Sequence, residues 1–206
     1  MREKKRISRI AAIIGLVSMV THLLSFSFLH YLEPQLNPAT SLISDYTQTP
    51  GAWLASLSFI FFATGWASLS IALSDVSGSR FVAIGQLLFF LAFISILAGT
   101  VFPSSMDPRT GTVLSKIQNL LARPGLFIGI LLISKGLSKK AEWRTVASTL
   151  LFLSIFALIL LGLTIGILIP KDLGGIGQRL VFLLLYIWIW LVASHLLHLP
   201  SAKKRT

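Results

Sequence analysis

The chain contains no cysteine. Disulfide bonds, thiolate metal sites, a cysteine nucleophile and thiol-linked lipid anchors are therefore excluded. Charged residues are also scarce, at 12% of 206 residues, against roughly 25% in globular proteins. Because hydrophobic residues make up 54% of the chain, a soluble domain of this size would leave much apolar surface in water. The composition predicts an integral membrane protein, in which lipid covers that surface.

The signatures of common enzyme classes are also missing. There is no P-loop, no dinucleotide fingerprint, no H-E-x-x-H and no G-x-S-x-G. His22 and His30 are expected to lie far across the bilayer from His195 and His198, so neither a metal site nor a cofactor is predicted. The formal net charge of +11 does not indicate a nucleic-acid partner, because Lys and Arg flank apolar runs without interleaved aromatic residues.

Six apolar runs are present, and a helix needs about 20 apolar residues to cross a bilayer. Backbone groups in hydrocarbon must be paired within the segment, so these runs are predicted to be helices. A basic start before an apolar run could be a cleavable signal, but this run is longer than a usual signal core and no small-residue cleavage site follows it, which favours a first anchor. The short connections predict one all-α domain over residues 1–206, a six-helix transmembrane bundle. The helices are expected at about 10–31, 53–73, 81–102, 120–137, 146–169 and 178–199.

The basic residues are distributed unevenly between the two sides that six spans create. Thirteen of the 18 Lys and Arg residues fall on the side of the N-terminus. The positive-inside rule therefore predicts a multi-pass protein of the cell membrane with both termini in the cytoplasm. The outer side has Arg109, Lys116, Arg123, Lys171 and Arg179.

Polar residues gather in the predicted outer connections, 33–52, 103–119 and 170–177. Long ordered loops are often functional, so a site is expected on the outer face. Arg123, about one turn inside the fourth run, either extends to the interface or pairs with a carboxylate such as Asp45 or Asp107. Arg179 has the same two alternatives: it either extends to the interface or pairs with a carboxylate. The predicted binding cluster consists of Asp45, Asp107, Gln118, Arg123, Gln178 and Arg179.

Two further patterns lie inside the predicted helices. Ser18, His22 and Ser25 form one polar stripe on the first helix. The stripe is expected to hydrogen-bond to neighbouring helices, or His22 could be a proton carrier or a ligand. Gly162 and Gly166 form a G-x-x-x-G that permits close helix approach, either within the bundle or between the copies of a homo-oligomer.

Aromatic residues near the predicted span ends are typical of the belts that anchor membrane proteins at the two interfaces. Tyr31, Tyr46 and Trp53 are expected at the outer interface and Trp143 at the inner one. Trp188 and Trp190 lie deeper and are expected to pack inside the bundle.

Three segments resemble motifs of a known family. The first outer loop has a proline-containing stretch that ends Ser41-Leu42-Ile43-Ser44-Asp45; Phe102-Pro103 with Asp107 closes the third run; and Gly175-Ile176-Gly177-Gln178-Arg179 opens the sixth. With the order of elements, they resemble the prokaryotic membrane proteins grouped as domain of unknown function 998. The resemblance covers nearly the whole chain and implies six helices with an outer polar cluster, but no function. Family members tend to have a histidine at the start of the fourth helix, where this chain has Gln118.

Three functional hypotheses follow. The first is non-enzymatic: the outer cluster stabilises the loops and binds a membrane lipid headgroup or small amphiphile. The second is a membrane-embedded lipid hydrolase with Asp45 or Asp107 as base or ligand and Ser41 or Ser44 nearby, which Gln118 in place of the family histidine disfavours. The third is a transporter or an accessory subunit, although no unwound pair of helices is evident at the midplane.

Overall fold

The apolar runs satisfy their backbone hydrogen bonds within helices. The computed structural model describes residues 2–76, 78–101, 113–165 and 173–199, of which 2, 101, 113–123 and 165 are described by their backbone alone. No strand occurs in these ranges. Short 3-10 segments cover Ile43–Gln48, Leu73–Val76 and Ala141–Trp143. The α-helices are α1 (Arg2–Leu32), α2 (Ala52–Ala72), α3 (Arg80–Val101), α4 (Val113–Leu137), α5 (Arg144–Ile165) and α6 (Gly174–His198).

Five segments of the described chain are long and apolar enough to cross a membrane. In α4, the described apolar part is the shorter stretch Pro124–Leu137. The predictions of an all-helical fold and of a membrane protein are therefore confirmed with five candidate spans. These are Glu3–Leu32, Ala52–Val76, Arg80–Thr100, Ala141–Thr164 and Gly174–His198.

The helices pack in the order in which they occur in the chain. Each helix contacts the next, and α6 packs against α1 and also reaches α2. The helices therefore form a closed ring. One consequence for the site is that α1, α2 and α6 are neighbours, although the first and last helices are far apart in sequence.

α3 and α4 approach each other most closely, through glycines. A Cβ atom at Gly85 would lie 2.5 Å from Ile133 Cγ1 and 2.9 Å from the carbonyl oxygen of Gly129. A Cβ atom at Gly136 would lie 2.6 Å from Val82 Cγ2. Contacts of early α3 with late α4 mean that the two helices are antiparallel.

The sequence pointed instead to Gly162 and Gly166 for close packing. Gly162 is exposed, and a Cβ atom added there would meet no atom within 4 Å. The expectation of packing within the bundle is therefore wrong for Gly162, while Gly166 lies outside the described residues. A homo-oligomer through these glycines stays a prediction.

A satisfied polar cluster joins α4, α5 and α6 in the interior. The indole Nε1–H of Trp188 donates to Ser134 Oγ at 2.9 Å, and Ser134 Oγ lies 2.9 Å from Ser154 Oγ. Each serine hydroxyl also lies 2.7 Å from the backbone carbonyl one turn earlier, so its single hydrogen always has an acceptor within reach. Trp188 is fully buried and stacks against Trp66 at 6.1 Å, which confirms its predicted packing role.

The end of the bundle that contains the N-terminus is closed by polar contacts between helices. Ser8 Oγ donates to the carbonyl of Ala72, and Arg9 Nη2 donates to that of Leu199 at 3.1 Å. Trp143 is fully buried, with its ring 4.5 Å from that of His195, so its predicted place in an interfacial belt is wrong. Trp190 is 64% exposed and does not pack inside the bundle as expected.

The close contact between α3 and α4 predicts that Gly85→Ala destabilises the fold. The new methyl group would collide with a backbone carbonyl, which cannot move aside by a rotamer change, so the free energy of unfolding should fall by about 1–3 kcal/mol. Gly162→Ala is the matched control and should stabilise α5 by up to about 1 kcal/mol, because alanine is the better helix former. Unfolding in mixed detergent micelles measures both. Equal stability of the two variants would contradict the close contact.

Candidate functional site

The loop of residues 33–51, which the sequence predicts to lie on the outer face and which is called the outer loop here, is closed at its base by Glu33. One carboxylate oxygen, Oε1, accepts the backbone N–H of Gly51, and Oε2 accepts the side-chain amide of Gln35 at 2.6 Å. The hydrogen bond from Gln35 has the largest effect and lowers the pKa of the Glu33 carboxyl; burial acts in the opposite direction, and the N–H of Gly51 adds to the lowering. Glu33 therefore joins the end of α1 to the residue that precedes α2.

The middle of this loop packs on the first turn of α6. A Cβ atom at Gly175 would lie 2.5–2.7 Å from the carbonyl oxygens of Pro38, Ala39 and Ser41. The same carbonyl of Ala39 accepts the N–H of Ile176 at 3.1 Å. Only glycine allows the two backbones to approach this closely.

Gln178 connects α6 to the 3-10 segment of the loop. Its Oε1 accepts the backbone N–H of Ile43 at 2.7 Å. This N–H belongs to the first turn of a helical segment, where backbone donors lack a partner within the helix. The amide of Gln178 thus supplies a cap from another part of the chain.

Arg179 uses both ends of its guanidinium to hold the same loop. Nη1 donates to the carbonyls of Ser41 at 2.9 Å and Gly175 at 3.0 Å. Nη2 donates to His30 Nε2 at 3.1 Å, and more weakly to the hydroxyl of Tyr46 at 3.5 Å. The guanidinium can only donate, so His30 Nε2 is the acceptor. The other ring nitrogen, Nδ1, lies 2.8 Å from the carbonyl of Phe26 and is therefore the one that holds the hydrogen. The four partners of Arg179 are thus uncharged.

Asp45 does not form an ion pair with Arg179, which was one of the two alternatives that the sequence left open. Its Oδ2 accepts the backbone N–H of Leu42 at 2.7 Å, so the carboxylate caps the 3-10 segment to which it belongs. Ser41 contributes its carbonyl to the site rather than its hydroxyl, and Ser44 is buried with its carbonyl bonded to Thr47 Oγ1 at 2.7 Å.

Tyr46 lies inside this site, and its predicted place in an interfacial belt is wrong. The side chain is fully buried, with its ring 5.2 Å from the rings of both Phe26 and His30. Burial raises the pKa of the Tyr46 hydroxyl, although the neighbouring Arg179 acts in the opposite direction. Tyr31 and Trp53 are 79% and 63% exposed at the ends of α1 and α2 that adjoin this loop, and their place in an interfacial belt stays a prediction.

Three members of the predicted cluster fall outside this description. Asp107 lies outside the described residues. Gln118 and Arg123 lie on α4, whose backbone alone is described there. Of the six residues, the structure therefore brings together Asp45, Gln178 and Arg179 around one loop. Within the described ranges, no group of three or more histidine or acidic residues is placed to hold a metal ion.

The polar stripe of α1 makes the predicted contact with a neighbouring helix. His22 Nδ1 lies 2.6 Å from Ser58 Oγ on α2. Ser58 Oγ also lies 3.2 Å from the carbonyl of His22, to which it donates. The other ring nitrogen, His22 Nε2, is buried and has no hydrogen-bond partner.

With this geometry established, comparison with known proteins identifies the family. The family described as Protein of unknown function (DUF998) matches residues 10–195. The chain belongs to this family. No curated protein and no solved structure matches it. The predicted family is therefore confirmed, and membership in DUF998 supplies no molecular function.

The sequence did not indicate two residues of the outer loop site, Glu33 and Tyr46, or the interior partner of His22, Ser58. Glu33 is the first residue of the predicted outer connection 33–52 but was not assigned to the cluster, and Tyr46 was assigned to the membrane interface. Ser58 was not singled out, although a serine within an apolar helix is a candidate for hydrogen bonding between helices. The common reason is that their partners are backbone groups or residues distant in sequence.

Glu33 makes the outer loop sensitive to acid. Its lowered pKa means that the carboxylate contributes stability above its ordinary value of about 4.5, and that this contribution is lost as the pH falls through the lower value of the folded state. We therefore expect Glu33→Gln to lower the midpoint of thermal unfolding at pH 7, and the deficit to shrink below about pH 4.

The control for this experiment is Glu3→Gln, which removes one negative charge from the exposed first turn of α1. A deficit for Glu33→Gln that stayed constant from pH 7 to pH 3.5, or that matched the deficit of the control, would contradict the role assigned to the carboxylate.

Proposed function

We propose that this protein is a six-span cell-membrane protein with both termini in the cytoplasm. Support comes from the antiparallel packing of α3 and α4. Because α4 runs alongside α3 in the opposite direction, it must cross the same thickness of lipid as α3 does. The basic residues of the described chain support the orientation: Lys4, Arg6, Arg80, Lys139 and Arg144 share one end of the bundle, and such residues favour the cytoplasmic side.

Labelling of single cysteines tests this topology, since the chain has no cysteine of its own. Gln48→Cys and Ser138→Cys place a thiol at exposed positions at opposite ends of the bundle. A membrane-impermeant maleimide should label Gln48→Cys in intact cells and Ser138→Cys only after permeabilisation. Lys4→Cys should behave as Ser138→Cys does. Labelling of both ends in intact cells would overturn the topology.

We further propose that the outer site binds the headgroup of an anionic lipid or amphiphile. The observation that supports this proposal is the set of partners of Arg179: two backbone carbonyls, His30 and the hydroxyl of Tyr46. None of these four groups is charged; Asp45 acts on Arg179 electrostatically but makes its hydrogen bond to the N–H of Leu42 and not to the guanidinium. The N-terminus of α6 adds positive potential at the same place.

Among the described residues, the contacts favour this reading over a lipid hydrolase. A hydrolase needs a nucleophile within hydrogen-bond reach of a base. In the outer loop, the carboxylate of Asp45 is engaged by a backbone N–H, and Ser41 and Ser44 contribute carbonyls. The serine–histidine contact is made instead by Ser58 and His22 in the interior, where a water molecule for hydrolysis would be costly to bring.

Arg179→Gln tests the proposed headgroup site. In purified protein, native mass spectrometry can compare the binding of phosphatidylglycerol with that of zwitterionic phosphatidylcholine. Removal of one positive charge near the membrane surface should reduce the preference for the anionic lipid about fivefold, since such a charge contributes about 1 kcal/mol.

Two control variants separate charge from loop structure. Gln178→Ala breaks the bond to the N–H of Ile43 without changing charge, and should reduce the lipid preference less than Arg179→Gln does. Arg80→Gln removes an exposed charge from the opposite end of the bundle, and should leave the preference unchanged. If Arg179→Gln retains the preference, or if Gln178→Ala loses it equally, the guanidinium does not bind the headgroup.

A further inference from the structure

His30 lies at the end of α1 that adjoins the outer loop, and it binds one edge of the Arg179 guanidinium. His30 Nε2 lies 3.1 Å from Nη2 and 3.4 Å from Nε of the arginine. Both arginine nitrogens can only donate, so both contacts use the same lone pair of the imidazole. The two side chains are half-buried. The contact is therefore partly open to the surroundings of the bundle.

A proton on His30 Nε2 is incompatible with this contact. Nδ1 already holds a hydrogen, which it donates to the carbonyl of Phe26. A second proton can therefore attach only to Nε2, where it takes up the lone pair that Arg179 uses. The imidazole becomes a cation, and its new N–H group faces the N–H groups of another cation. Histidine is the side chain that changes charge in this way near neutral pH.

Protonation of His30 would leave Arg179 attached to the outer loop. Nη1 keeps its hydrogen bonds to the carbonyls of Ser41 and Gly175, at 2.9 Å and 3.0 Å. The edge with Nη2 and Nε loses its main acceptor, because the hydroxyl of Tyr46 is 3.5 Å away, at the limit of a hydrogen bond. Two donor groups, one from each cation, then lie side by side without a good acceptor.

The other titratable groups around this pair do not supply that acceptor. Tyr46 packs on the imidazole with its ring 5.2 Å away, and burial raises the pKa of its hydroxyl, so the ring stays neutral. Asp45 and Glu33 act on the region electrostatically. Both carboxylates bind backbone N–H groups, and neither is hydrogen-bonded to His30 or Arg179. On the α2 side there is no acidic, basic or tyrosine side chain.

We propose that protonation of His30 converts the outer site into a tighter site for an anionic headgroup, in which one phosphate oxygen accepts from both His30 Nε2 and Arg179 Nη2. The phosphate supplies the acceptor and the negative charge that the protonated pair needs. This inference rests on the headgroup site proposed above and adds its regulation by pH. Proton and anion are then coupled, so each strengthens the binding of the other by the same factor.

The pH dependence of the lipid preference tests this coupling. Native mass spectrometry compares phosphatidylglycerol with phosphatidylcholine at about pH 7.5 and about pH 5.5, on either side of the ordinary titration of histidine. The phosphodiester groups of both lipids keep their charge over this range. The preference of the unaltered protein for phosphatidylglycerol should rise about fivefold on acidification, the effect of one further positive charge near the membrane surface.

His30→Gln is the matched variant, because the glutamine amide oxygen can accept from Arg179 but takes up no proton in this range. The variant should show the preference of the unaltered protein at the higher pH and no rise at the lower one. His198→Gln alters an exposed histidine at the other end of α6 and should retain the rise. An equal rise in His30→Gln would overturn the proposal.

A measurement on the unaltered protein keeps the test decisive if His30→Gln fails to fold. In protein labelled with 15N-histidine, Nε2 of His30 should change from unprotonated to protonated between about pH 7.5 and about pH 5.5. Exchange of phosphatidylcholine for phosphatidylglycerol should move the midpoint of this change to higher pH. The midpoint of the exposed His198 reports the effect of surface potential alone. Equal movement of the two midpoints would contradict a phosphate bound at His30.

The failure of this proposal is distinguishable from the failure of the headgroup site. A preference for phosphatidylglycerol that is present at the higher pH and does not rise on acidification overturns the pH control and leaves the headgroup site standing. No preference at either pH overturns both. If inorganic sulfate removes the rise and chloride of the same ionic strength does not, the pair binds a free oxyanion rather than a lipid, and the proposal is wrong.

Discussion

The first two turns of α6 hold the outer loop against the bundle, and the geometry of the candidate site depends on this contact. Gly175 leaves room for three loop carbonyls, and Ile176 donates its N–H to one of them. Gln178 and Arg179 then bind the backbone on either side of Leu42. Without these contacts, the loop would expose backbone groups at the edge of the membrane, where unpaired N–H and C=O groups are costly. The order of the loop therefore depends on a helix that follows it by more than a hundred residues in the chain.

This contact also joins two of the three segments in which the sequence resembles the family. The segment that ends at Asp45 and the segment that begins at Gly175 pack on each other. Their polar side chains bind mostly backbone groups: Asp45 the N–H of Leu42, Gln178 that of Ile43, and Arg179 the carbonyl of Ser41. Pairing of Arg179 with a carboxylate was a reasonable expectation from charge alone. The actual partners of Arg179 could not be predicted from the sequence. Every residue has a backbone carbonyl, and the sequence does not show which carbonyls lie near the guanidinium.

The fold was more predictable than the site for a physical reason. A helix that crosses a bilayer needs a long run of apolar residues. Such runs are visible directly in the sequence, so the candidate spans follow from hydropathy. Helix ends were less accurate: α1 begins at Arg2 rather than near residue 10, because a helix can continue beyond the apolar run that marks its membrane part. Aromatic residues were the least predictable. Tyr46 and Trp143 are buried and Trp190 is exposed, because an amphipathic ring is stable both at an interface and in the interior.

Two groups of interior polar residues join the helices: the cluster of Trp188, Ser134 and Ser154, and the pair of His22 and Ser58. Lipid chains are as apolar as leucine, so hydrophobic burial does little to select one helix neighbour over another; close packing and hydrogen bonds between helices do more. Trp188, Ser134 and Ser154 serve this purpose with every donor satisfied inside the protein. His22 also joins two helices through Ser58, but a serine or threonine could make that contact without leaving a second nitrogen buried and unpaired. The histidine therefore joins α1 to α2 through one ring nitrogen, while its other ring nitrogen lies among aromatic side chains. The negative faces of such rings suit an N–H group, so the imidazole links the helices by a hydrogen bond on one side and by ring packing on the other.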